Sequence, residues 1–315
     1  MLLLNTSSLS AKNLPSEKNA SEGFSSEESP AKKQEIILPL EELQTFSEVF
    51  HHIKTSYHKN ISDKELINAA ISGMLNKLGE HTRYYSQEEF SKFNVASNGE
   101  RTGILLPSVI SEGLPSPVGY IAINQFTKKT PSEVIAHLNQ LIQDHDTSRL
   151  IIDLRNNLGG VLDASVDVAN LFLDKGVIYS SKGKSIESNR KVIAESPAIF
   201  KDITLLIIMN RDSASSSEIL AGALQDNKRA IILGEISYGK GTIQTVFALR
   251  SGAGIKMTTS EYFTPNGNKI QGKGIAPDIE LETKTLTPDL ELSIFNDLAI
   301  YQAYLLLTTK VKTTK

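Results

Sequence analysis

The chain has 315 residues, 40% hydrophobic and 22% charged, enough apolar material for one large domain with appendages or two smaller ones. A formal net charge of −3 supplies no basic field to gather phosphate backbones, so nucleic acid is not an expected partner. The absence of cysteine excludes disulfides, thiolate metal sites and a cysteine nucleophile, and leaves the redox compartment undetermined.

The start, Met1-Leu-Leu-Leu4, has neither a basic leader nor the ~7–15 apolar residues of a signal peptide. Residues 5–34, rich in Ser, Glu, Lys and Pro and without periodicity, read equally as the cleavage region of an export signal or as a disordered tail. No apolar run approaches the ~18–20 residues that span a bilayer. From Leu38 onward, Leu43, Phe46, Val49, Phe50 and Ile53 recur at helical spacing, and Ser62-Asp-Lys-Glu65 has the form of a capping box opening a second helix. Leu66, Ala70, Ile71, Leu75 and Leu78 make its expected buried stripe, and Gly79 its stop.

Residues 94–117 read as a connector whose one short apolar run, Ile104-Leu-Leu106, has the length of a lone strand. Strands over 120–123, 149–154, 204–209 and 230–233 then alternate with helices over 132–143, 161–173 and 216–225, which predicts an α/β core of largely parallel strands. Two β-like segments come next, 243–249 and 255–263, with Thr264-Pro-Asn-Gly267 as a turn, and Thr287-Pro-Asp opens a last helix to about Leu307. The expected division is a disordered or export remnant (1–34), a helical region (35–93), the connector (94–117), a catalytic core (118–284), and a C-terminal helix and tail (285–315).

The chemistry is concentrated in Asp212-Ser-Ala-Ser-Ser-Ser-Glu218 and, one helix and one strand later, Tyr238-Gly-Lys-Gly-Thr-Ile-Gln244. These put a hydroxyl at a helix start and an amine on a neighbouring loop, a nucleophile and general base that require no metal or cofactor. Ser215-Ser-Ser-Glu218 fits a plain capping box equally well, but three serines crowd a position where one suffices. Lys240 serves as a base only if burial or a nearby cation draws its pKa down from ~10.4. Gly234 to Lys240 also matches most of a phosphate-binding loop, yet Gly241 stands where the metal-holding hydroxyl belongs, and the residues from Thr242 on read as a strand instead of a helix. In Asp153-Leu-Arg-Asn-Asn-Leu-Gly-Gly160, adjacent glycines at a strand-to-helix turn suit an oxyanion hole or an ordinary connection. The six histidines lack metal-ligand spacing, and Asp163 with Asp167 reads as a solvated helix face.

Together with Tyr262-Phe-Thr-Pro-Asn-Gly267 and Lys273-Gly-Ile-Ala-Pro-Asp278, these motifs in order resemble the C-terminal processing peptidases, also called tail-specific proteases. The resemblance runs from about Leu38 to Leu307. It implies a crotonase-like (ClpP/crotonase-type) α/β core and a serine endopeptidase with Ser215 as nucleophile, Lys240 as base and Gln244 orienting it. The same resemblance makes the N–H groups of Gly159 and Ser216 the oxyanion hole. It further implies protein or peptide substrates and a periplasmic or envelope location in a bacterium, with a cytoplasmic one left open by the lack of a complete signal peptide; a homo-oligomer through the N- and C-terminal helices is a separate expectation. Two departures stand out: Leu158 replaces the usual proline of the oxyanion turn, and the 94–117 connector stands where family members carry a PDZ module. Selectivity for free C-termini is therefore expected to be weak, and a non-catalytic binding or scaffold relative is the alternative.

Overall fold

The computed structural model describes residues 38–79, 81–97, 103–104, 108–110, 117–281 and 297–309. The expected tail 1–34, most of the connector and the helix start at Thr287 lie outside them. The chain divides at Ser62 into two compact units.

In the first unit, α1 (Leu40–Ser56) opens on Glu41 and Glu42 and closes on Lys54, charges that suit the helix dipole. No residue of α1 is buried; Leu43, Phe46 and Val49 of the expected stripe are all exposed.

In the second unit, α2 (Asp63–Asn76), β1 (Arg83–Tyr85), α3 (Gln87–Ser97), β2 (Ser108–Val109), β3 (Gly119–Ala122) and α4 (Thr130–His145) lead into the core. Of the stripe expected on α2 only Leu75 is buried, and Leu78 is exposed. The core continues through β4 (Arg149–Asp153), α5 (Leu162–Asn170), β5 (Val177–Gly183), β6 (Arg190–Ile193), β7 (Thr204–Met209), α6 (Ser216–Asp226) and β8 (Ala230–Gly234). It closes with β9 (Thr242–Ala248), β10 (Gly254–Phe263), β11 (Ile279–Glu280) and α7 (Leu298–Thr308).

One sheet has the order β11-β8-β7-β4-β3-β2, parallel except for the β2–β3 pair. Its central strands are buried on both faces. Leu150, Ile152, Leu205 and Ile207 point into a core with Leu138 of α4, Val168 of α5 and Leu220 of α6. The alternate residues Ile151, Leu206 and Ile208 pack with Ala299, Ala303 and Tyr304 of α7. Two-sided burial explains why β4 and β7 are unbroken apolar runs. No helix of the described residues is long and apolar enough to cross a membrane.

The alternation does not extend through the whole core, and the ClpP/crotonase-type expectation is corrected here. Five strands, β1, β5, β6, β9 and β10, leave the parallel layer and form a separate antiparallel sheet. The physical reason lies in their patterning: β5, β6 and β9 mix Ser, Thr, Lys, Arg and Gln with apolar residues, so they suit a sheet with a solvated side.

Candidate active site

Three neighbouring parallel strands, β4, β7 and β8, release their loops at the same sheet edge, the carboxyl end where open α/β sheets build their sites. The loop after β4 carries Asn156 to Gly160, that after β7 carries Ser213 to Ser215, and that after β8 carries Ser237 to Gly241.

Ser215 occupies φ 57°, ψ −114°, a sparsely populated conformation for a residue with a Cβ, which costs about 1–3 kcal/mol. Such a strained strand-to-helix turn lifts a side chain out of the helix it precedes. The capping box is present in outline, but the Glu218 N–H donates at 2.9 Å to the Ser215 carbonyl, and the Ser215 hydroxyl makes no capping hydrogen bond. The neighbouring serines have other tasks. Ser213 Oγ donates to Leu154 O at 2.8 Å, Ser217 Oγ to Asn157 O at 3.0 Å, and Ser216 Oγ to Gly160 O at 3.3 Å. All three fasten the helix start to the loop after β4.

That loop is fixed from within as well. Asn156, at φ 60°, exchanges hydrogen bonds with Asn210 at 2.9 and 2.8 Å, and the buried Asn157 donates to Ile123 O at 2.6 Å. Gly159 has φ +102°, and a Cβ built on it would stand 2.7 Å from Ser215 Cβ and 3.1 Å from Ser216 N. The Gly159 backbone therefore lies directly against the serine and its helix N-terminus, a contact only glycine permits. Its N–H donates to Asn157 Oδ1 at 2.8 Å, so the group that the resemblance assigns to the oxyanion hole is engaged inside its own turn.

Lys240 is joined to Ser215 through a residue that the sequence marks only as a capping acid. Glu218 is fully buried, and its Oε2 accepts from Ser215 N at 2.7 Å and from Lys240 N at 2.9 Å. Its Oε1 accepts from the Ser237 hydroxyl at 2.6 Å and Gly239 N at 2.7 Å. One oxygen thus holds the two backbones no further apart than two hydrogen bonds allow. Burial pushes the Glu218 carboxyl above its ordinary pKa while the four donors pull it back. Tyr262 closes the arrangement from β10, its hydroxyl between the carbonyls of Ser215 at 3.1 Å and Lys240 at 2.5 Å.

The half-buried Lys240 has a pKa drawn down, first by desolvation and second by the Lys256 ammonium, with Glu218 opposing. Both of the causes that can lower a lysine pKa, desolvation and a neighbouring cation, therefore act on Lys240. Gln244 turns its amide nitrogen to Thr242 Oγ1 at 2.9 Å. Among the described residues no hydrogen bond joins the Ser215 hydroxyl, the Lys240 amine and the Gln244 amide to one another. The phosphate-loop alternative loses its footing, because Lys240 leads into strand β9.

Behind the β4 loop, Asp153 accepts from Arg155 Nε at 3.0 Å and from the Tyr120 hydroxyl at 2.8 Å. Arg155 also reaches Asp297 Oδ2 at 2.7 Å, while Asp297 Oδ1 caps α7 through Ala299 N at 2.9 Å. Sequence reading placed Glu218, Asn157 and Tyr262 in motifs without giving them these roles, and it passed over Lys256. A signal existed for Glu218, an acid among the small and apolar residues of a helix buried from Ser216 to Leu224.

Residues 117–281 match the family "Peptidase family S41", and residues 5–89 match "Activating protease CtpB N-terminal domain". The carboxy-terminal-processing protease of Bartonella bacilliformis is 28% identical over 76% of this chain and 75% of its own length. The carboxyl-terminal-processing protease of Picosynechococcus is 43% identical over 51% of this chain, and the match spans only 38% of that relative. Among solved structures, a photosystem II D1 C-terminal processing protease is 32% identical at a TM-score of 0.51, covering 61% of this chain and 52% of its own. The fold is accordingly the α/β fold of these peptidases and not the crotonase type.

Proposed function

The chain belongs to peptidase family S41, the carboxy-terminal-processing serine peptidases, and from that footing we propose that it cleaves polypeptides with a Ser215–Lys240 dyad. Neutral Lys240 takes the Ser215 proton as Oγ bonds to the scissile carbonyl carbon. The resulting ammonium protonates the leaving amine as the C–N bond breaks, and water, deprotonated in turn, releases the acyl group. Gly159 and Ser216 N–H groups receive the oxyanion, and Gln244 orients the lysine. The observation that carries this reading is the single carboxylate oxygen of Glu218 that takes both Ser215 N and Lys240 N.

The observed conformation is then a resting one. Gly159 N–H exchanges Asn157 Oδ1 for the substrate oxyanion, and the Gln244 amide leaves Thr242. The same two hydrogen bonds also favour a second reading, a binding or scaffold relative that never assembles the site. Hydrolysis of an unfolded protein by wild type, lost in both Ser215→Ala and Lys240→Ala, is expected of the enzyme. Equal inertness of all three folded proteins favours the scaffold.

Selectivity for free C-termini is expected to be weak, and matched substrates with free and amidated ends measure it. The family resemblance assigns a periplasmic or envelope site, which cell fractionation tests. The exposed residues Leu43, Phe46 and Val49 of α1 support self-association through the N-terminal helix, as does the apolar composition of α7. Analytical ultracentrifugation decides that point.

A further inference from the structure

The edge strands of this protein differ in how they are protected. An unpaired strand edge is a template for any extended chain, and natural proteins blunt such edges with charge, proline or brevity. β2 and β11 have two residues each, β1 has three and carries Arg83, and β6 has four and carries Arg190 and Lys191. β9 breaks the pattern. Its seven residues, Thr-Ile-Gln-Thr-Val-Phe-Ala, contain no charge and no proline. Its partner is β10 alone, and among the described residues nothing pairs with its other edge. Val246 and Phe247 are 37% and 41% exposed there.

This edge starts two residues after Lys240 and contains Gln244, so a chain laid along it runs directly away from the dyad. A strand of this length is matched by about seven residues of extended polypeptide at ~3.3 Å each. Alternation puts Val246 and Phe247 on opposite faces, offering an apolar contact to either side chain of a passing dipeptide.

We propose that the unpaired edge of β9 is the substrate-docking edge, to which an unfolded polypeptide adds as an extra strand before cleavage. This rests on the Ser215–Lys240 reading and names how that site takes its substrate. The main-chain ladder accepts almost any sequence, and the outer apolar positions, six and seven residues along the chain from Lys240, favour substrates with hydrophobic side chains about six to seven residues from the scissile bond.

The test is a backbone scan of one cleaved peptide by the wild-type protein, each amide N-methylated in turn. Strand addition predicts that kcat/KM falls at least tenfold at every second residue over a run on one side of the cleavage site, with the intervening positions unaffected. Tolerance of every methyl group, or losses without alternation, overturns the proposal. Phe247→Lys is expected to raise KM severalfold and Phe247→Tyr to keep it. A lysine variant that turns a dimer into a monomer while KM stays unchanged assigns the edge to a second copy of the chain and also overturns the proposal. Failure of a fluorophosphonate to label wild-type Ser215 removes the dyad on which the inference rests. A labelled enzyme without alternation refutes the edge alone.

Discussion

Glu218→Gln is the substitution from which the structure predicts most. The carboxylate serves two pairs of donors, and an amide keeps one acceptor oxygen for one pair. The amide nitrogen has its better place at the Oε1 position, because the Ser237 oxygen, which already accepts from Ile275 N, has a second lone pair for it once its own O–H turns away, whereas Ser215 N and Lys240 N can only donate. Gly239 N–H is then left facing another donor. An orphaned buried N–H costs about 1–3 kcal/mol, and the lost charge assistance on the other bonds is offset in part by no longer burying a carboxylate. The net expectation is about 1–3 kcal/mol, a fall in Tm of roughly 3–10 °C for a unit of this size. Because the orphan is the residue before Lys240, the labelling rate of Ser215 should also drop by about tenfold or more, a barrier increase of ~1.4 kcal/mol. Thermal unfolding and fluorophosphonate labelling of both proteins read the two effects. A variant matching wild type in both would refute the claim that this carboxylate ties serine loop to lysine loop.

Further outcomes rest on the same geometry. Labelling of Ser215 should rise with pH as Lys240 loses its proton, with a midpoint below the ordinary lysine value because its pKa is lowered; Lys256→Gln should move that limb to higher pH and Lys256→Arg leave it in place. An unmoved limb contradicts the role of Lys256. Gly159→Ala puts a Cβ within 2.7 Å of Ser215 Cβ at φ +102° and should cost about 10²–10³ in acylation rate, the typical worth of an oxyanion donor. Wild-type acylation by that variant rules out the loop placement. Asp297→Asn keeps a capping oxygen for α7 but removes the Arg155 ion pair, whose partners are 24% and 34% exposed. A stability loss of about 0.5–1 kcal/mol and a severalfold lower turnover are expected, since Arg155 directly precedes the Asn156 turn. Unchanged turnover would detach α7 from the site.

The parts legible in the sequence are those whose burial leaves a pattern. β4 and β7 stand out because both their faces are packed, and α6 because its start carries the serine motif. β1 and α3 escaped notice, one strand being three residues long and the helix weakly patterned. β5 and β6 escaped because Ser, Lys and Arg on a half-solvated sheet resemble a loop. The same division holds at the site. Ser215 and Lys240 are visible as motif residues, but Tyr262 lies 47 positions from Ser215, and no spacing rule links them before the chain is folded. Glu218 reads first as a cap, and its place among small and apolar residues only hints at a burial that the tertiary fold produces. Nor does spacing reveal that Asn157 holds the Gly159 N–H, which depends on a side-chain rotamer within the turn.

The central claim is that the strained Ser215 is the nucleophile and Lys240 its base. Mass spectrometry of intact protein after fluorophosphonate treatment, with peptide mapping afterwards, addresses it most directly. One adduct per chain on Ser215, absent when Lys240 is replaced by alanine in a protein of unchanged fold, is the predicted result. Labelling of another residue, or of Ser215 at the same rate without Lys240, would contradict it.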